Sequence, residues 1–238
     1  MHIADIDYIS THGRSFFHKA RPISKVIFSV CLLTALIVSN ELFFICGILA
    51  MMFVFTFMTK ISLKLVCHLL LYPLFFSSIF AVIMMGQSIN EVMVIIFRAI
   101  SIAYVLIFLI MTTSYVELFG FFSIFMPALL IDVLIFTYRS FFILLESMTQ
   151  LFKSIRLRGG YHPLKLITNL KNMASMIGIL IIHSIDMSER MYHIYALRGY
   201  NGAIHLRDIK VFPLKSNDIV LMAIGILMIT GKVIVWKL

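Results

Sequence analysis

The sequence predicts an all-α integral membrane protein with about five transmembrane helices and a cytoplasmic region of long amphipathic helices. Three observations lead there. The 238 residues are 61% hydrophobic, with a mean hydropathy of +1.03. Only 13% are charged, about half the share of an ordinary soluble domain. The apolar residues gather in runs near bilayer length, divided by short polar breaks.

Residues 1–25 carry Asp5, Asp7, Arg14, Lys19, Arg21 and Lys25 without an early apolar core or a small-residue cleavage site. No removable leader is expected, and the first span serves as its own insertion signal. That span runs from about Lys25 to Val38. The second, Leu42 to Met58, follows after the break Asn40-Glu41, so the two form a tight hairpin. The third covers Val66 to Met85 and contains Pro73, which removes a backbone donor and should kink the helix. The fourth covers Val92 to Thr113, with Arg98 near its entrance to snorkel or meet a headgroup. The last covers Asp218 to Trp236, with Trp236 and Lys237 as interfacial anchors. Cys31, Cys46 and Cys67 lie within or beside these runs with no CxxC spacing, and read as buried reduced thiols.

Residues 114–217 differ, holding eleven of the twenty Lys and Arg residues. One long helical pattern starts after Pro127 and ends at Arg158. A second starts near Pro163 and ends at Arg198. In the first, Leu134, Tyr138, Phe141, Leu145 and Phe152 follow three-to-four spacing, with Arg139, Glu146, Gln150 and Lys153 on polar faces. In the second, the run Ile177 to Ile182 is too short to span and is followed by His183, Asp186, Glu189 and Arg190. It reads as a half-buried or interfacial helix. Glu146, Asp186 and Glu189 read as a solvated charged face; a pairing of Glu146 or Glu189 with basic neighbours, which would fix the crossing of the two helices, is the alternative. The expected division is therefore 1–113, the amino-terminal segment and four spans; 114–217, the amphipathic region; and 218–238, the last span. Seventeen of the twenty basic residues fall in the amino terminus, the 59–64 loop and residues 114–217, and none in the loops at Asn40-Glu41 and Gln87–Glu91. The positive-inside rule puts the amino terminus and the 114–217 region in the cytoplasm.

Each long helix ends in the same tripeptide: Leu157-Arg158-Gly159 and Leu197-Arg198-Gly199. Glycine just past a helix end takes the left-handed conformation at little cost. Arginine in the last turn complements the helix dipole. A helix stop explains one such motif. Two, at the ends of adjacent helices, point to a pair of guanidinium forks that bind carboxylates of a two-fold partner.

The strings "IRLRGG" and "ALRGYNG", the latter within "SERMYHIYALRGYNG", together with "IDYIS…RPISKVIF" at the start, resemble the transmembrane T component of energy-coupling factor (ECF) transporters. The likeness is strongest to the cobalt/nickel branch, the CbiQ type. Leu157 and Leu197 stand where that family's signature has alanine. The resemblance implies a non-catalytic coupling subunit of an ATP-driven importer in the inner (plasma) membrane. Its partners would be two cytosolic ABC-type ATPase subunits and a small substrate-capture membrane subunit. Residues 114–217 would be the coupling-helix region. Arg158 and Arg198 would contact acidic residues in the ATPase grooves, Gly159 and Gly199 would turn the chain away, and Arg156 would assist. The cargo would be cobalt or nickel; a T component serving vitamin-capture subunits is the near alternative.

Other signals are weaker. The net charge of +9 reports topology and anionic headgroups; no basic stripe interleaved with aromatics suggests nucleic acid. His2 lies on the cytoplasmic side, away from external metal. His183 and His193 share a helix face but lack further ligands, so no metal site and no cofactor is expected. "GILMITGK" fails as a phosphate loop on spacing and because Val233 follows Lys232. No HExxH, GxSxG or carboxylate pair marks an intramembrane enzyme. A self-sufficient channel or carrier would need more polar groups within the spans than Arg98, Gln87 and Lys232.

Overall fold

The computed structural model describes residues 7–11, 13, 15–59, 61–84, 88–160, 165–200 and 216–237. After a helical segment at 7–11 and the single turn Phe16–Lys19, the helices are α1 (Pro22–Val38), α2 (Leu42–Thr59), α3 (Leu63–Ile83), α4 (Ile89–Thr112), α5 (Tyr115–Phe122), α6 (Ala128–Leu157), α7 (Leu166–Leu197) and α8 (Ser216–Lys237). No strand occurs among the described residues. The chain forms two compact units, Met1–Phe121 with Ile209–Leu238, and Phe122–Asp208.

In the first unit, α4 packs against α1, α2 and α3, and α8 packs along α1. Pro22 opens α1 at a position where its missing N–H costs nothing. The buried face of α1, Phe28, Leu32 and Leu36, meets Ile45, Ile48 and Met52 of α2, Val105 and Phe108 of α4, and Leu221 of α8 in one core. Phe17, from the turn before α1, adds its ring against Phe55 (centroids 4.9 Å) and Phe108 (5.2 Å). Without a water-driven force inside lipid, such helices depend on close packing and cross-helix hydrogen bonds. Thr56 and Tyr104 supply one such bond, 2.8 Å between their buried hydroxyls. At Gly225 of α8, an added Cβ would lie 3.3 Å from Cβ of Cys31, so the glycine lets α8 approach α1.

Polar groups mark the two ends of this bundle. At one end, Asp218, fully buried at the start of α8, accepts from the Arg21 backbone N–H (2.8 Å) and from Ser24 Oγ (2.9 Å). Arg21 Nε also lies 3.9 Å from its other oxygen. One turn along α1, the buried Lys25 ammonium donates to the Thr112 carbonyl at the end of α4 (2.7 Å) and sits 3.9 Å from Glu117 of α5. At the other end, Arg98 near the start of α4 donates to the Ser39 carbonyl and to Asn40 Oδ1 in the α1–α2 corner. Its guanidinium thus ties two helices together where a snorkelling side chain was expected.

Several sequence expectations are revised here. Helix α3 runs from Leu63 to Ile83 with Pro73 inside it. The three cysteines are free thiols, but Cys67 is exposed and Cys31 and Cys46 are half-buried. Among the described residues five helices are long and apolar enough to cross a membrane, as expected in number, but the set is α2, α3, α4, α6 and α7. Helix α1 and the 217–231 stretch of α8 are shorter apolar helices. The run Ile177 to Ile182 is by itself too short to span. Inside α7, however, it belongs to an 18-residue window of mean hydropathy 1.3, because a helix carries its few charges on one side without interrupting the apolar remainder.

Candidate functional site

The second unit is a helical hairpin of α6 and α7. The pairs Phe136–Tyr195 (ring centroids 4.7 Å), Ser147–His183 (3.4 Å) and Gly160–Asn172 run in opposite chain order, so the helices are antiparallel. Along α6 the residues lining the seam are Phe136, Ser140, Leu144, Ser147, Leu151 and Ile155. Phe141 and Phe152 of the expected stripe also border it, while Tyr138 stacks on Phe142 of its own helix at 5.0 Å. Small hydroxyl residues let helix backbones approach and bond, so serine marks the inner face as much as leucine does. Glu146 and Glu189 stand on a solvated face, and the alternative pairing is not seen among the described residues. Both are exposed, and among the described residues the ion pairs, Arg21–Asp218 and Lys25–Glu117, lie in the other unit. Glu146 instead accepts from Gln150 Nε2 one turn on (3.4 Å). The crossing is held by Arg139 Nη1 donating to Tyr195 Oη (3.1 Å) and by the His183 and Asn172 contacts. Near the end of α7 the helices part around a cavity of about 700 Å³ bordered by Phe136, Phe141, Met187, Met191 and Tyr195.

The two Leu-Arg-Gly tripeptides have the same local geometry. Leu157 and Leu197 are the last helical residues, and Arg158 (φ −81°, ψ 8°) and Arg198 (φ −86°, ψ 5°) cap the two helices. Gly159 and Gly199 take φ +70° and +76°. Gly159 N–H donates to Arg156 O (3.2 Å) and Gly160 N–H to Ile155 O (2.9 Å); Gly199 N–H donates to Ala196 O (3.1 Å) and Tyr200 N–H to Tyr195 O (3.0 Å). This is the Schellman arrangement, in which backbone donors satisfy the last carbonyls. The arginine side chain is not needed as a cap. Both arginines are exposed, and so are Arg156, Gly159 and Gly199. Leu157 and Leu197 are 88% and 89% exposed. Two isolated helix stops give no reason for a bare leucine beside each arginine. Because the hairpin is antiparallel, the tips lie at its opposite ends, about 40 Å apart at 1.5 Å per residue.

A Cβ at Gly159 or Gly199 would meet nothing within 4 Å, so the requirement is conformational. Gly159→Ala and Gly199→Ala should each lower stability by about 1–2 kcal/mol, read as thermal unfolding in detergent. Asn at either position should recover part of the loss, since it tolerates the left-handed region.

Among the described residues no group of three or more His, Cys, Asp or Glu side chains gathers as metal ligands. His183 faces Ser147 across the seam. His2, His162 and His205 lie outside the described residues.

A helical chain with five helices of spanning length and composition among its described residues is a multi-pass membrane protein. Two matching basic tips stand at the ends of its α6–α7 hairpin. The cobalt transport protein family CbiQ matches residues 13–208, and the chain belongs to that family. This agrees with the resemblance to the CbiQ-type T component. No match is found among curated proteins.

Proposed function

We propose that this protein is the non-catalytic coupling subunit of an ATP-driven ECF importer for cobalt or nickel. Two cytosolic ABC-type ATPase subunits would dock on Arg158 and Arg198, one at each tip. A small substrate-capture membrane subunit would lie against the apolar helices. The observation that carries this reading is the pair of equivalent, exposed Leu-Arg-Gly ends on one antiparallel hairpin. At about 40 Å the tips are too far apart to enter one groove and well placed to enter two. Each guanidinium would fork onto a carboxylate, Leu157 and Leu197 would fill apolar hollows beside it, and Arg156 would add charge at the first tip.

Residues 114–217 act, in this reading, as the coupling region between the four spans of 1–113 and the last span, 218–238. The basic residues of 114–217 favour α6 and α7 at the cytoplasmic face over a path across the bilayer. The protein would sit in the plasma membrane with its amino terminus in the cytoplasm. The ends of the bundle support this. The starts of α1 and α8 and the end of α4 meet at Arg21, Lys25, Glu117 and Asp218, as expected when α1 and α8 enter from the side on which α4 leaves.

The test is co-purification. The tagged chain is expressed with the ATPase subunits of its source cell, solubilised gently, and compared with Arg158→Ala/Arg198→Ala. Wild type should retain an ATPase and the double variant should lose it, with both eluting as the same monodisperse species. Equal retention by the double variant would reduce the tripeptides to helix stops and move the channel or carrier reading forward.

A further inference from the structure

The two tips differ in how they are tied to the rest of the hairpin. After Gly159 the chain continues with Gly160, which has no side chain and accepts from Asn172 Nδ2 through its carbonyl. After Gly199 it continues with Tyr200, whose hydroxyl donates to Asp132 Oδ2 at 2.6 Å. Asp132 lies in the second turn of α6 and is 2% exposed. The Tyr200 ring sits beside Phe136 (6.0 Å) and Tyr195 (6.3 Å), which themselves meet edge to face. A buried carboxylate needs donors, and a phenol gives it a short, charge-assisted bond. Accepting this bond, Asp132 holds the Tyr200 hydroxyl above the ordinary phenol range, with desolvation acting in the same direction. Tyr200 therefore stays a donor throughout the physiological range.

We propose that Tyr200 and Asp132 are positioning residues for Arg198: their bond pins the end of α7 to the start of α6 and fixes the direction in which the guanidinium leaves the hairpin. At the first tip the Asn172 amide holds the Gly160 carbonyl, a bond to backbone in place of the phenol–carboxylate bond at the second. This rests on the coupling reading and sharpens it, because it gives the Arg198 contact a supporting pair of side chains that can be tested apart from the contact itself.

The test uses the full chain in detergent and has two arms. Hydrogen exchange at the backbone amides of residues 195–200 reads the latch without any partner. Tyr200→Phe keeps the ring and removes the donor, and should speed this exchange about fivefold. Asp132→Asn keeps an acceptor oxygen and should recover most of the protection that Asp132→Ala loses. ATPase affinity reads the consequence. Tyr200→Phe should weaken binding about fivefold in wild type and in an Arg158→Ala background, and have no effect in an Arg198→Ala background, because it acts through Arg198. Unchanged exchange in Tyr200→Phe would overturn the latch and leave the coupling reading standing. A loss of affinity that persists in the Arg198→Ala background would show a general structural effect and overturn the positioning role. Wild type that binds no ATPase would bring down the coupling reading, and the positioning role with it.

Discussion

Arg158→Ala and Arg198→Ala are each expected to weaken ATPase binding by about ten- to a hundredfold, and together to abolish it. The estimate follows from the chemistry of the contact. A hydrogen bond to a charged group contributes about 1.5–3 kcal/mol net, and a guanidinium fork that loses its carboxylate forfeits at least one. The tips lie about 40 Å apart, share no partner, and should contribute additively. They also belong to one molecule, so the first contact raises the effective concentration for the second. The double variant loses that advantage as well as both bonds. Arg→Lys should fall between, because lysine keeps the charge and lacks the planar fork. Titration of purified ATPase onto the chain in nanodiscs would read these values. Variants that bind as wild type would remove the basis for the coupling role.

The largest loss of stability is expected from Asp218→Ala, about 3–5 kcal/mol. Asp218 is fully buried. Its Oδ1 accepts from both the Arg21 N–H and Ser24 Oγ, while Oδ2 lies 3.9 Å from Arg21 Nε. Alanine would leave a buried backbone donor unmet and remove the counter-charge of Arg21. Asp218→Asn is the informative comparison. Its amide oxygen can take over both Oδ1 bonds, so it should cost about 1 kcal/mol. Denaturant unfolding in a fixed detergent would separate the two variants. If Asn proved as damaging as Ala, the charge rather than the hydrogen bonds would be what holds α8 to α1.

The sequence made the helices and their stops legible because both are local. Helix α6 runs Ala128–Leu157, against an expectation of a start after Pro127 and an end at Arg158, and the positive φ of Gly159 and Gly199 follows from residue type and place. The inner face of the hairpin was harder to read. In a chain this apolar, leucine and phenylalanine lie on every side of a helix, so spacing alone chose the Tyr138 stripe. The seam runs instead through Ser140 and Ser147, and serine at seven-residue spacing, two helical turns, was the usable signal. The bundle-end contacts were out of reach because their partners are distant in sequence. Asp218 reads as the polar start of a last span and Arg21 as a flanking charge, and nothing local joins residues 197 positions apart. Tyr200 lies inside the ALRGYNG motif, but its bond to Asp132 depends on the antiparallel packing.

The polar cluster at Arg21, Lys25, Glu117 and Asp218 has a mechanical consequence. Thr112 and Glu117 lie just before the chain leaves the first unit near Phe121, and Asp218 lies just after it returns at Ile209. Exit and re-entry are fastened to the same short stretch of α1. Both covalent connections to the inserted residues therefore leave the first unit beside one stapled patch. In the coupling reading, any pull along the chain would reach α1 at that patch, and Asp218 is one of its bolts.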